Sequence, residues 1–262
     1  MKLENNTILV TGGTSGIGLA LADKLTVMGN KVIVLGRNEK RFESIKKYHS
    51  SLIFHQTDVS NLEDIKELGE WIQSNYPDLN IVVNSAGIMR SYSLFDPEVT
   101  IDKLTAEINT NLIGTIAVDK TLLPIVLKQK ESMIVNISSG LANISSAAHP
   151  IYSATKAGVH MFTDALREQL SFAQQDQVHV MELVPPLVAE TNLETEVDAS
   201  APNSMSLDAL VEEAIAGMES NDIRVNAGGA KDLRKAGQTA PDETERQMAK
   251  NLIPQYFPNG LM

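Results

Sequence analysis

The 262-residue sequence contains no cysteine, which removes disulfides, thiolate nucleophiles and Cys-ligated metals from consideration. Positive charge is scarce: 22 Lys and Arg stand against 33 Asp and Glu, a formal net charge of -11. An acidic surface repels nucleic acid and anionic lipid, so neither is expected as a partner, and an anionic cofactor has to be met by local cations. Long apolar runs are also missing. None reaches membrane-spanning length, and the first is only residues 7–10, with no room before it for a signal peptide, so a cytoplasmic location is expected. The five histidines (His49, His55, His149, His160, His179) show no HExxH-type spacing, and no metal is expected. One formal glycosylation sequon, Asn136-Ile137-Ser138, lies at the end of an apolar strand and is read as chance. No internal repeat or linker is visible, and 43% hydrophobic residues suffice for one large core.

What is present alternates between apolar, β-rich segments and helical ones. Residues 7–10 (T-I-L-V) read as a buried parallel strand. They run into T-G-G-T-S-G-I-G at 11–18 and then into a helical pattern of Ile17, Leu21, Leu25 and Met28 closed by Gly29. Gly12, Gly16 and Gly18 suit a tight turn, a close backbone approach to a pyrophosphate, and close packing of helix on sheet. Many loops are Gly-rich, but this one stands between a first strand and a first helix, whose N-terminus offers free N–H groups and a positive dipole to phosphates. A second strand, 31–35, leads to Gly36 and Arg37. An acidic residue there would accept the ribose 2'-hydroxyl of NAD and a basic one would meet the 2'-phosphate of NADP, so Arg37 is a candidate, a solvated strand-end Arg being the alternative. Lys40 and Arg41 follow within one turn and could assist.

A third strand at 52–54 ends near Asp58 and Val59, and a helix is predicted over 62–74. A fourth strand at 80–83 leads to Asn84-Ser85-Ala86-Gly87, where small residues let the chain pass close to a ligand. A long helical region, 100–130, carries Asn109 and Asn111 and should accommodate Pro124 by bending. The fifth strand, 133–137, delivers Ser138 and Ser139. The helix after it holds Tyr152 and Lys156 and continues with Val159, Phe162, Leu166 and Leu170 as its apolar stripe. A sixth strand at 177–184 ends at Pro185-Pro186, followed by an acidic segment, a helix at 207–218 and a last strand at 223–225. Residues 226–262, with a helical patch at 244–252, read as a loosely held tail outside a domain of residues 1–225. The alternation gives an α/β fold, a single doubly wound parallel sheet with helices on both faces.

The stretch 139–156 carries the chemistry. Positions i and i+4 share a helix face, so the Tyr152 phenol and the Lys156 ammonium point into one space. A cation about 5 Å from a phenol, at an effective dielectric near 20, contributes roughly 3 kcal/mol and lowers a phenol pKa of about 10 by about two units. Tyr-x-x-x-Lys also occurs by chance on many helices. The dinucleotide-type N-terminus is what gives it weight here.

T-G-x-x-x-G-x-G at 11–18, N-x-A-G at 84–87, Asn111 within N-L-I-G, Ser139 and Tyr152-x-x-x-Lys156 occur in order and at family intervals over residues 5–225. Together they resemble the short-chain dehydrogenase/reductase family, single-domain and Rossmann-type. The opening M-K-L-x-N-N-T-I-L-V-T-G-G and the E-L-V-P-P stretch are further similar to the DltE-like bacterial oxidoreductases. The resemblance implies Tyr152 as general acid and base, Ser139 polarising the substrate oxygen, Lys156 binding the nicotinamide ribose and depressing the Tyr152 pKa, and Asn111 holding a water. It places Gly12, Thr14, Ser15, Gly16, Ile17 and Gly18 at the pyrophosphate, Arg37 at the 2'-phosphate, and Asp58 and Val59 at the adenine. Asn84, Ala86 and Gly87 fall at the adenosine ribose, and Pro185 and Val188 near the nicotinamide, which Tyr152 and Lys156 also contact. Three positions depart from the pattern: Pro186 replaces a Gly, Thr191 falls one place late, and Ser85 replaces an Asn.

The expected function is an NADPH-dependent carbonyl reductase or alcohol dehydrogenase for a small-molecule substrate, with NAD(H) as the second choice of cofactor. A non-catalytic NADP-binding regulator on the same fold is the alternative, against which all four catalytic positions are filled. Pairing into a homodimer or homotetramer is expected through the helices around 100–130 and 152–172. Substrate specificity is expected in 88–100 and 189–210, the second being either a mobile lid or an acidic surface loop.

Overall fold

The strands form because β-branched and apolar residues come in short unbroken runs, and a sheet buried on both faces needs both sides apolar. In the computed structural model, which describes residues 1–188, 190–191, 193 and 204–262, they are β1 (Thr7–Thr11), β2 (Lys31–Gly36), β3 (Ile53–Gln56), β4 (Leu79–Asn84), β5 (Ser132–Ile137), β6 (Val178–Val184) and β7 (Arg224–Asn226). They pair in parallel in the order β3-β2-β1-β4-β5-β6-β7. The doubly wound sheet is therefore as expected. Successive residues point to opposite faces, so Ile8 and Val10 enter one core with Leu21, Leu25, Ile215 and Met218, while Leu9 enters the other with Ile33, Leu68, Leu122 and Leu166. Strand order reverses between β1 and β4, which opens a crevice at their carboxyl ends.

Helices α1 (Gly16–Val27), α2 (Glu39–Lys46), α3 (Leu62–Asn75), α4 (Ile101–Ile108), α5 (Gly114–Val126), α6 (Pro150–Phe172) and α7 (Leu207–Ser220) connect the strands. Local capping sets several of their starts: Asn38 accepts from the Arg41 amide, Asn61 from Glu63, Thr100 from Lys103 and Ser206 from Ala209. The predicted continuous helix over 100–130 is interrupted, but not at Pro124, which lies in the last turn of α5. The interruption is a π-helical segment, Asn109–Ile113, in which the Gly114 amide reaches back to the Asn109 carbonyl. Asn111 sits at its centre. Among the described residues no helix is long and apolar enough to cross a membrane.

The C-terminal residues differ from the sequence expectation. Where a loose tail is predicted, the structure has α8 (Ala230–Thr239) and α9 (Pro241–Tyr256). Neither is loose: the Ala227 amide continues the sheet by donating to the Val184 carbonyl at 3.0 Å, Glu245 accepts from the Ser145 amide at 3.0 Å, and the Leu261 carbonyl accepts from the Ser93 hydroxyl at 2.6 Å. No residue of α9 is fully buried, because its apolar side faces the crevice instead of a core. That is why its apolar pattern reads as weak.

Candidate active site

The crevice is one continuous cleft of about 740 Å³ running from the glycine turn to α8 and α9. At its first end, the Thr11 hydroxyl accepts from the Ser85 and Ala86 amides, both at 3.0 Å, which ties the end of β1 to the segment after β4. The chain then turns at Gly12 with φ of +64°, where a Cβ would lie 2.8 Å from the Ala86 Cα. At Gly18 a Cβ would lie 2.7 Å from the Gly12 carbonyl oxygen. Only glycine permits both approaches. Helix α1 opens without a side-chain cap or an acidic residue in its first turn, so its amides and dipole remain available to an anion.

Two arginines stand beside this turn. Arg37 leaves the end of β2 with its side chain 57% exposed and 3.9 Å from an Asp58 carboxylate oxygen. Arg41, on α2, donates from Nε to the Thr14 carbonyl at 3.0 Å, which fastens its guanidinium to the glycine turn. Sequence order suggests only that Arg41 could assist; the fold brings it into the cleft wall together with Arg37, Thr14, Ser15, Gly16 and Ile17. Val59 lines the cleft as well. The Asp58 side chain instead accepts from the Ser60 amide and hydroxyl at 2.9 and 2.7 Å.

Ala86 and Gly87 line the cleft, but Asn84 turns into the core below it. The Asn84 amide donates to Asp119 Oδ1 at 2.6 Å and to Asn136 Oδ1 at 2.8 Å. Asn136 in turn donates to Asp119 Oδ2 at 3.0 Å and to the Thr163 hydroxyl at 3.1 Å. Burial pushes the Asp119 carboxyl up to about 7, although the bonds from Asn136 and Asn84 oppose it. This knot engages the Asn84 Nδ2, while its Oδ1 is buried without a hydrogen-bond partner among the described residues, and it fixes where β4 releases the chain into the cleft.

The middle of the cleft holds Ser139, Tyr152 and Lys156. Ser139 follows β5 and accepts the Leu141 amide at 3.1 Å, opening a 3-10 turn over Gly140–Ala142. Its neighbour Ser138 is anchored the other way, donating to Glu182 Oε1 at 2.5 Å. Burial would raise the Glu182 carboxyl, but hydrogen bonds from His160, Arg224 and Ser138 outweigh it and hold the group below its ordinary range. This buried anchor, invisible as a motif, leaves Ser139 as the serine presented at the turn. Tyr152 and Lys156 occupy the first two turns of α6, both buried, with the Lys156 Nζ 5.6 Å from the Tyr152 ring centre. The ammonium donates to the Ile137 carbonyl at 2.8 Å. Burial lowers its pKa to about 8, against the field of the Glu107 carboxylate. Glu107, on α4 and 0% exposed, is itself raised to about 7 by burial, opposed by Arg90 and Lys156.

Asn111 lies behind this group and does not line the cleft. Its Oδ1 accepts from the Ile88 amide at 2.8 Å, and its Nδ2 donates to the Ile88 carbonyl at 2.8 Å and the Thr155 hydroxyl at 3.1 Å. A Cβ on Gly87 would meet Asn111 Oδ1 at 3.5 Å and Lys156 Nζ at 3.6 Å, so Gly87 passes between them. The π-helical segment thus aims one side chain that clamps both the strand-exit loop and α6.

Beyond Ser139 the wall is made by the 140–149 segment and by α8 and α9, including Leu233, Met248, Leu252 and Tyr256. His149 is buried, hydrogen-bonds the Ser146 hydroxyl through Nδ1 at 3.1 Å and meets the Tyr256 ring edge-on at 4.5 Å. None of these stands out in the sequence, because no motif marks an apolar wall. Pro185, Pro186 and Val188 line the cleft. Val188 forms an isolated parallel bridge with Met205. Thr191 donates to the Val188 carbonyl at 3.0 Å and lies 3.5 Å from a Cβ position on Gly16, so its late position still reaches the glycine turn. Of the segment read as a lid or acidic loop, residues 189, 192 and 194–203 lie outside the described residues. Among the described residues no cluster of His, Asp or Glu could hold a metal ion.

Comparison with known proteins bears on this arrangement. The family model described as short chain dehydrogenase matches residues 6–202. The chain is 39% identical over 190 residues to the uncharacterized oxidoreductase DltE of Bacillus subtilis (strain 168), spanning 72% of this chain and 73% of that one. To an uncharacterized oxidoreductase of Staphylococcus aureus (strain USA300) it is 36% identical over 171 residues, or 64% and 73% of the two chains. Among solved structures, a short chain dehydrogenase from Burkholderia cenocepacia J2315 in complex with NADP superposes with a TM-score of 0.80 at 22% identity, over 95% of this chain and 99% of that one. A short chain dehydrogenase/reductase from Burkholderia phymatum in complex with NAD gives 0.79 at 19% identity, over 94% and 96%.

Proposed function

The chain belongs to the short-chain dehydrogenase family, and on that premise we propose that it is an NADPH-dependent oxidoreductase moving hydride between nicotinamide and a carbonyl or alcohol carbon of a small molecule. One observation carries this reading: a buried Tyr152–Lys156 pair and Ser139 share a single cleft with a tight glycine turn at the uncapped N-terminus of α1. The residues present fit the cofactor, since Gly12 and Gly18 let the backbone close tightly at the start of α1, whose uncapped amides remain available to the pyrophosphate. When bound, the nicotinamide supplies or accepts the hydride.

The chain's own groups do the rest. Tyr152 gives its phenol proton to the substrate oxygen in reduction and takes it back in oxidation. Lys156, largely charged at neutral pH with a pKa of about 8, favours the phenolate by its field. Ser139 donates a hydrogen bond to the same oxygen as charge develops on it. Asn111 holds Ile88 and Thr155 in register, which keeps Gly87 and Lys156 apart by a fixed distance. Gly12, Thr14, Ser15, Gly16, Ile17 and Gly18 receive the pyrophosphate, Val59, Ala86 and Gly87 the adenosine half, and Pro185 and Val188 the nicotinamide side. Arg37 and Arg41 together receive the 2'-phosphate, and NADP and NAD are both held by solved structures of the same fold. Self-association runs through α5 and α6, the second of which exposes the large apolar residues Met161 and Phe172.

The test is NADPH oxidation across a panel of aldehydes and ketones, together with the rise in melting temperature on adding NADPH. Cofactor binding without turnover of any carbonyl, with a partner protein recovered only in the presence of NADPH, would favour the regulatory alternative. No rise in melting temperature would refute both.

A further inference from the structure

The end of the cleft beyond Ser139 is chemically one-sided. Its walls are mostly apolar: Leu233, Met248 and Leu252 from α8 and α9, Leu141 after Ser139, and Ile88 and Met89 after β4. Ser146, His149, Gln255 and Tyr256 are the polar side chains among them. The wall is built into the fold. A Cβ on Gly140 would come 2.6 Å from the Leu233 Cδ1, and one on Gly237 would come 2.3 Å from the Asn143 carbonyl oxygen. α8 therefore lies directly on the turn that begins at Ser139. Glu245 and Leu261, through their bonds to Ser145 and Ser93, hold α9 and the segment after it in place.

Charge in the cleft is distributed the other way. Arg37 and Arg41 stand at the glycine-turn end and Lys156 in the middle, and among the described residues no other Lys or Arg and no Asp or Glu lines it. The amino acids at 189, 192 and 194–203 include no Lys or Arg either, but they include Glu194, Glu196 and Asp198. No part of that segment can therefore supply a counter-ion to an anion. A carboxylate or phosphate entering the far end would lose its water against a wall made mostly of leucine and methionine, with no Lys or Arg among its described residues, a cost that a neutral apolar group does not incur. The apolar group gains from the same burial.

We propose that the α8–α9 end of the cleft recognises an uncharged, apolar carbonyl compound or the corresponding alcohol, and rejects substrates that carry a carboxylate or phosphate. This rests on the reading of Ser139 and Tyr152 as the reacting end, but its test can be separated from that reading. The probes are methyl 4-formylbenzoate and 4-carboxybenzaldehyde, which share ring and aldehyde and differ in one charge. Titration calorimetry on the full chain loaded with NADP⁺ should show the ester binding at least about tenfold tighter, the size of effect expected for a poorly paired charge.

Leu252→Arg places a cation in the wall. Leu252 is only partly buried on a helix with no fully buried residue, so the variant should fold. It should narrow the ratio by about tenfold through a new charge-assisted bond, with NADP⁺ affinity unchanged, whereas Leu252→Gln should leave the carboxylate disfavoured. Equal binding of the two aldehydes, tighter binding of the carboxylate, absence of ester binding, or a ratio indifferent to Leu252→Arg would each overturn the inference. Ester binding at the expected ratio without NADPH oxidation would keep the inference and defeat the reductase reading.

Discussion

Asp119 is 2% exposed, and both its oxygens accept from neutral amides, Asn84 at 2.6 Å and Asn136 at 3.0 Å. Burial outweighs those bonds and raises its pKa from 3.8 to about 7. In the unfolded chain the group ionises near its ordinary value. Between about pH 4 and 7 the folded protein therefore holds a proton that the unfolded chain has released. The stability tied to this proton is fully present below about pH 4, is lost as pH rises towards 7, and changes no further above that.

At about 1.36 kcal/mol per pKa unit, the two units from pH 5 to 7 correspond to roughly 2.7 kcal/mol. Asp119→Asn keeps the volume and removes the titration. It adds a fixed cost of about 1–3 kcal/mol, because a donor replaces one of two acceptors among donors, but that offset does not vary with pH. Glu107, also raised to about 7, titrates in both proteins and cancels from the difference. Urea unfolding at pH 5, 6, 7 and 8 should thus show mutant-minus-wild-type stability moving in the mutant's favour by about 2–3 kcal/mol, with most of the change complete by pH 7. A difference that stays flat to within about 0.5 kcal/mol, or moves against the mutant, refutes the claim that the folded protein keeps this carboxyl protonated.

Tyr152→Phe should keep the NADPH-induced rise in melting temperature and lose turnover by ~100-fold or more, so near-normal turnover would remove Tyr152 from the mechanism. Lys156→Ala should weaken both NADPH affinity and rate, and a defect in rate alone would detach it from the cofactor. Wild type should bind NADPH more tightly than NADH by roughly tenfold, the lower end for a charged hydrogen bond because Arg37 is more than half exposed. Arg37→Asp should erase most of that preference, and equal affinities in the wild type would leave Arg37 and Arg41 without the role given them. Gly12→Ala, at φ of +64° and 2.8 Å from backbone, should cost about 2–4 kcal/mol and abolish the NADPH response, whereas an unchanged midpoint in urea would contradict the close approach. Light scattering at micromolar concentration should give a dimer or tetramer, and a monomer mass would defeat pairing through α5 and α6.

Features set by neighbours along the chain are legible in the amino-acid order itself. Alternating apolar strands and helices point to a parallel sheet covered by helices on both faces, and the glycine turn after the first strand points to the doubly wound form. The glycine turn and the Tyr152–Lys156 pair are likewise short-range: four glycines within seven positions, and two side chains one helical turn apart.

What only the tertiary structure decided joins residues far apart in sequence. Asn84 reads in sequence as a ligand-side residue and Asp119 carries no signal there, and only the packing of β4 against α5 turns the asparagine away from the cleft and makes the acid a buried one. Arg41 gains its place from a bond to Thr14, and of the two adjacent cleft-lining serines, Ser138 and Ser139, the first has its hydroxyl committed to Glu182, from the neighbouring strand β6. The C-terminal pair of helices, the largest departure from the sequence expectation, has the same origin. α9 turns its apolar side to a cleft instead of a core, so no residue in it is fully buried and its pattern resembles that of a loose tail. A half-exposed apolar stripe acquires meaning only when the surface opposite it is known.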